Sequence, residues 1–178
     1  MSLRIPVGPD DHRRGNPHAP VVLVEYGDYE CPVCGGAYPL VKDLLARFGD
    51  GLCFVFRNFP LSEVHPQALP AAITAEYAAR HGRFWQAHDA LFENQDALGE
   101  SLYAELADAL RLPLAGLRDA LAGGGVEAER VEADFEGGVR SGVNGTPCFF
   151  VNGRRFDPRA GYEELAGVIE ALLAGQGG

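Results

Sequence analysis

Two apolar runs separated by one helical stretch restrict the fold more than any other feature. Val21-Val22-Leu23-Val24-Glu25-Tyr26 is nearly continuous and β-branched, the pattern of a strand covered on both faces. Leu52-Cys53-Phe54-Val55-Phe56 is a second run of the same kind. Between them, from Pro32, a helical pattern places Ala37, Leu40, Val41, Leu44, Leu45 and Phe48 on one side. Lys42, Asp43 and Arg47 lie opposite. Gly49-Asp50-Gly51 ends this helix, and Pro39 inside it is expected to kink it. A strand–helix–strand unit of this length predicts two parallel strands joined by a right-handed crossover.

The chain then turns almost wholly helical. Amphipathic segments are predicted over His65 to His81, Phe84 to Asn94, Leu102 to Arg111, Leu114 to Leu121 and Val126 to Arg140. Gly82, Gly99, Pro113 and Gly123-Gly124-Gly125 punctuate them. Strand character returns at Cys148-Phe149-Phe150-Val151. Asn152-Gly153 signals a hairpin, with Arg154-Arg155-Phe156 as the return strand. A last helix is expected from about Tyr162 to Leu173. The fold class is therefore α/β, in the order β-α-β, helical block, β-β-α. Residues 1–20, rich in Pro, Gly, Asp and His, read as an irregular N-terminal arm. Residues 21–62 and 141–178 form the α/β domain, and 63–140 an all-helical subdomain inserted between its halves as a cap.

Composition narrows the function classes. Of the 178 residues, 47% are hydrophobic, enough for a core without disulfide staples, and four cysteines are too sparse for a secreted disulfide framework. A net charge of −10 argues against nucleic acid or an anionic membrane surface as the main partner. No stretch approaches the roughly eighteen apolar residues of a spanning helix, so no membrane insertion is expected. Met1-Ser2-Leu3-Arg4-Ile5-Pro6 lacks the apolar core of a secretory leader. The sequence as it stands reads as cytoplasmic, or as periplasmic or exported if a native leader has been removed.

The chemistry points to Cys31-Pro32-Val33-Cys34, set where the first strand meets its helix. This spacing lets two sulfurs meet across one helical turn. The first sulfur sits among unpaired N–H groups at the positive end of the macrodipole, which favours a thiolate. Pro32 suits the first helical position. Cys31 is expected to be the exposed, attacking sulfur and Cys34 the buried, resolving one. No second Cys-x-x-Cys and no His-x-x-x-His completes a set of four metal ligands. No metal and no cofactor is expected.

Val22-Leu23-Val24-Glu25-Tyr26, the Cys31-Pro32-Val33-Cys34 motif and Gly145-Thr146-Pro147 before a strand together resemble a DsbA-like thiol–disulfide oxidoreductase of the thioredoxin superfamily. Arg57-Asn58-Phe59-Pro60-Leu61, His65-Pro66 and Phe84-Trp85 are similar to segments recurring in that group. The likeness runs from about residue 10 and implies a thioredoxin-like fold with the helical cap inserted. It also implies that Thr146 and Pro147 form a cis-proline loop beside the cysteines that presents backbone to substrate. Glu25, a carboxylate in an apolar strand, would be a buried acid that moves protons for Cys34, with a raised pKa. The partners implied are protein thiols or disulfides and a redox partner.

Cys53 and Cys148 should not be bonded to each other. In the thioredoxin-like sheet that the resemblance implies, the strand of residues 21–26 should separate theirs, and two strand spacings of roughly 9 to 10 Å exceed the reach of a disulfide. Both read as small core residues, although Cys148 adjoins the proline loop. His12, His18, His65, His81 and His88 show no ligand spacing and read as surface or capping residues. Phe84, Trp85 and Phe92 read as core of the cap. Pro32 and Val33 supply no side chain that could stabilise a thiolate, so strong oxidising power is not implied. Two readings stay open beside disulfide exchange: a metal or iron–sulfur protein using Cys31 and Cys34, and a non-redox chaperone or binding module on the same scaffold.

Overall fold

The structure, a computed structural model, describes residues 1–175. Its centre is a five-stranded sheet in the order β1-β3-β2-β4-β5. Strands β2 (Val21–Gly27) and β3 (Leu52–Asn58) are parallel neighbours, joined by helix α1 (Pro32–Phe48). Strand β4 (Cys148–Val151) pairs antiparallel with β2, and the short β5 (Arg154–Arg155) pairs antiparallel with β4. The Asn152-Gly153 turn between them has both residues at positive φ, as a tight hairpin requires.

Every residue of β3 is buried, as are all but one of β2, which accounts for their unbroken apolar runs. Alternation still divides the sheet's two faces. Val21, Leu23, Phe54, Phe56 and Phe149 join the larger core with Val41 and Leu44 of α1. Val24, Tyr26, Cys53, Val55 and Phe150 join a smaller core with Phe59 and Val143. The C-terminal helix α7 (Leu165–Ala174), preceded by a 3₁₀ turn at Tyr162–Glu164, adds Leu165 and Ile169 to the larger one.

Five helices lie between β3 and β4: α2 (Ala68–Arg80), α3 (Phe84–Glu93), α4 (Glu100–Ala109), α5 (Leu114–Leu121) and α6 (Val126–Arg140). This is the thioredoxin-like arrangement with a helical insertion that the sequence implies. Phe84 and Phe92 contact Phe56 of the sheet, so they close the seam between cap and sheet rather than the interior of the cap. Helix α1 runs through Pro39 as one element.

The N-terminal segment departs from expectation. His12–Gly15 forms β1, an edge strand antiparallel to β3, where an irregular arm is expected. The tetrad His-Arg-Arg-Gly has no apolar pattern of its own; pairing with β3 makes it a strand. Trp85 Nε1 donates to the Arg13 carbonyl, and Arg14 pairs with Asp89, which pin this edge to α3. Ahead of β1, the Arg57 guanidinium is buried against Asp11 at 2.8 Å and donates to the carbonyls of Ile5 and Pro6.

Candidate functional site: a cysteine pair beneath a proline loop

The sheet brings residues from both halves of the chain together at one end of β2. Cys31 precedes α1, with Pro32 in the first turn and Cys34 within it. Thr146-Pro147 is a cis peptide immediately before β4, which pairs with β2. The loop therefore lies beside the cysteines, and the Cys31 thiol donates to the Thr146 carbonyl at 3.5 Å. Cys31 is less accessible than its attacking role suggests: it is 5% exposed against 0% for Cys34, whereas Val33 between them is 51% exposed.

The two sulfurs differ sharply. The hydrogen bond from Cys34 pulls the Cys31 pKa down to about 5. Burial opposes this, and the Thr146 side chain and the backbone N–H groups of Cys34 and Val33 assist. The Thr146 hydroxyl is buried and has no hydrogen-bond partner among the described residues, which leaves it free to serve a Cys31 thiolate. Burial drives Cys34 the other way, well above the ordinary thiol range, reinforced by its bond to Cys31 and by the charge of Glu25. Side chains of Pro32 and Val33 contribute nothing, as the sequence indicates. The thiolate is instead supported by Cys34, Thr146 and the open end of α1.

Glu25 is 2% exposed, and its Oε1 has no hydrogen-bond partner among the described residues. Burial, and secondarily the Cys31 charge, raise its pKa to about 8. Glu25 also lines a cavity of about 10 Å³ with Tyr38, Val41, Phe54, His88 and Phe92. That is room for about one water molecule.

The loop from Asp28 to Cys31 is bolted down by side chains that the sequence reading passed over. Asp28 Oδ1 accepts from the amides of Glu30 and Cys31, while Oδ2 accepts from the Leu61 amide and His65 Nδ1. Gln95 Nε2 donates to the carbonyls of Tyr29 and Cys31, both at 2.8 Å. Gly35 is required for this approach, because a Cβ there would collide with the Gln95 amide. The signal for Asp28 was its place just ahead of a helix start, where Asp commonly serves backbone amides.

Three histidines also differ from the surface or capping roles expected of them. His88 is 2% exposed and shares a 2.9 Å hydrogen bond with the Tyr29 hydroxyl, and burial lowers its pKa to about 3. His12 stacks on Phe84 and bonds Glu76. His65 bonds Asp28. Cys53 and Cys148 are free, buried thiols on strands separated by β2, opposite Val22 and Tyr26 respectively. Among the described residues no group of three or more His, Cys, Asp or Glu is arranged to hold a metal.

A family model described as thioredoxin matches residues 8–171. The chain belongs to the thioredoxin family. Among solved structures, oxidised BdbD from Bacillus subtilis is 28% identical at a TM-score of 0.77, covering 92% of this chain and 93% of that one. Wolbachia pipientis α-DsbA1, 21% identical, shares the fold at a TM-score of 0.74 over 96% of this chain and 94% of its own. The thioredoxin-like fold that the motifs imply is thus matched by both. Curated relatives carry another name. Na(+)/H(+) antiporter NhaA 1 of Salinispora arenicola is 43% identical over 176 residues, which are 98% of this chain but 27% of that protein. The chain spans about a quarter of the length of such relatives. No helix among the described residues is long and apolar enough to cross a membrane.

Proposed function

We propose that this thioredoxin-family chain is a thiol–disulfide oxidoreductase that exchanges disulfides with protein substrates through Cys31 and Cys34. The observation that carries this reading is the placement of Cys31 at the open start of α1, against the cis Thr146-Pro147 loop and within one helical turn of the fully buried Cys34; the acidities diverge accordingly, Cys31 down to about 5 and Cys34 well up. A thiolate of low pKa is also a good leaving group, and stabilising it favours the reduced pair, so the pair is poised to accept electrons from substrate thiols.

In the oxidised pair, a substrate thiolate attacks Cys31 Sγ, forming the substrate–Cys31 bond and breaking Cys31–Cys34. Cys34 departs as a thiolate and takes up a proton, for which Glu25, neutral up to about pH 8, is the nearby store. A second substrate thiolate then attacks the substrate sulfur, the mixed disulfide breaks, and Cys31 leaves as a thiolate. The substrate has lost two electrons and the pair has gained them. A redox partner that removes those two electrons completes the cycle. Thr146 and Pro147 are the proposed substrate contact, since their loop adjoins Cys31. Oxidation of substrate thiols suits an oxidising compartment, which is the location proposed here.

The test is oxidation of a reduced, unfolded two-cysteine protein by the oxidised chain. Cys31→Ser should fall to the uncatalysed rate, and Cys34→Ser should accumulate a mixed disulfide through Cys31. Undiminished oxidation by Cys31→Ser contradicts the mechanism.

A further inference from the structure

The buried Asp28 carboxylate stands between Cys31 and His65. Its side chain has no exposure, and all four of its bonds are to groups that fix the active-site turn. The Cys31 amide lies 3.2 Å from Oδ1, and His65 Nδ1 lies 2.7 Å from Oδ2. His65 itself is partly exposed, at 21% of its side chain, so it exchanges protons with solvent while Asp28 is sealed. A sealed carboxylate next to a thiolate would add to the negative charge there; an imidazolium on its other oxygen offsets it.

We propose that His65 is a positioning residue for Cys31, acting through Asp28: it holds the turn that presents the sulfur and supplies the positive charge that favours its thiolate. This deepens the proposed disulfide exchange and rests on it. The charged groups around His65 are Asp28, Cys31 and Glu30, and the Asp28 bond is the first cause of its raised pKa. Coupling between two titrating groups is reciprocal. Because the Cys31 thiolate favours the His65 proton, that proton must favour the thiolate equally. His65 is thus protonated over the range in which Cys31 titrates, and its support is withdrawn as pH rises through its own midpoint.

The experiment titrates the Cys31 thiolate by its ultraviolet absorbance in the full chain and in His65→Asn and His65→Ala, and follows the His65 proton by NMR in wild type and Cys31→Ser. Asn can still donate to Asp28 but carries no charge. In His65→Asn the Cys31 midpoint should rise by about 0.5 pH unit or more, roughly a threefold loss of thiolate near the midpoint. The His65 midpoint should fall by the same amount in Cys31→Ser. His65→Ala should raise Cys31 at least as far. A Cys31 midpoint within about 0.2 unit of wild type in His65→Asn, with no change of His65 in Cys31→Ser, overturns the inference while leaving disulfide exchange intact. A wild-type chain that neither forms an acidic Cys31 thiolate nor oxidises thiols instead overturns the underlying reading.

Discussion

The Cys31 thiol and the Thr146 carbonyl, 115 positions apart in sequence, meet at 3.5 Å. The two halves of the sheet, divided by the helical insertion, converge at this contact. The Thr146 hydroxyl is buried with no hydrogen-bond partner among the described residues, and its side chain helps to lower the Cys31 pKa. Thr146→Val keeps the shape of the loop and removes the donor. A lost hydrogen bond of about 1 kcal/mol corresponds to a rise of roughly 0.7 unit in the Cys31 midpoint. Titration of the thiolate in the variant checks this, with little change expected in overall stability.

Glu25 titrates at about 8 in the folded chain, above its ordinary carboxylate value of 4.5. The folded state therefore binds a proton that the unfolded state has released. The contribution of Glu25 to stability is full below pH 4.5 and declines as pH rises toward 8, where the buried carboxylate ionises. Glu25→Gln removes that titration. It should stabilise the chain by a few kcal/mol at pH 8 and hardly at all at pH 4, read as a gain in Tm that grows with pH. Turnover should nevertheless fall in the same variant if Glu25 supplies the proton to Cys34.

Gly138 packs its bare α-carbon against two rings. A Cβ there would lie 2.7 Å from Phe59 and 3.0 Å from Tyr26. Phe59 is stacked on Phe135, so it has little room to yield. Helix propensity alone favours Gly138→Ala by about 1 kcal/mol, but overpacking of a tight core costs about 1 to 3. The variant should be less stable than wild type in urea, with thiol chemistry retained.

Asp11 neutralises a guanidinium that is 4% exposed at the side chain. Burial works against the ionised Asp11, but its bonds to Arg57 and to the Gly8 amide hold its pKa below the ordinary value. Asp11→Ala leaves Arg57 with a buried, unpaired charge, and the loss should be about 3 to 5 kcal/mol at neutral pH. A depressed carboxylate contributes stability above its unfolded pKa and loses it as pH falls through the folded one. The difference between wild type and variant should accordingly shrink below about pH 4, measured by urea unfolding.

The sheet centre was legible because its signals are local. Val21 to Tyr26, apart from the half-buried Val22, and Leu52 to Phe56 are buried on both faces, and Asn152-Gly153 has the φ that its turn needs. Strand β1 was not, because Arg13 and Arg14 are polar and owe their extended form to pairing with β3. Cys31, Cys34 and the cis Thr146-Pro147 bond were named from motifs. Asp28 and Gln95, which hold the turn, were not: Asp28 offered only its place just ahead of a helix start, and the main-chain partners of Gln95 leave no sequence pattern. His88 could have been found: it lies four residues from both Phe84 and Phe92, on the apolar face of α3. Residue type suggested the surface, and periodicity pointed inward.

The most direct test of the Cys31/Cys34 assignment is equilibration of the chain in glutathione buffers, followed by alkylation and mass measurement of each cysteine. Cys31 and Cys34 should lose and regain their thiols together, in one two-electron step with a midpoint above thioredoxin's value of about −270 mV, while Cys53 and Cys148 stay free. Cys31 and Cys34 remaining alkylatable in every buffer, or a midpoint well below that value, would contradict the account.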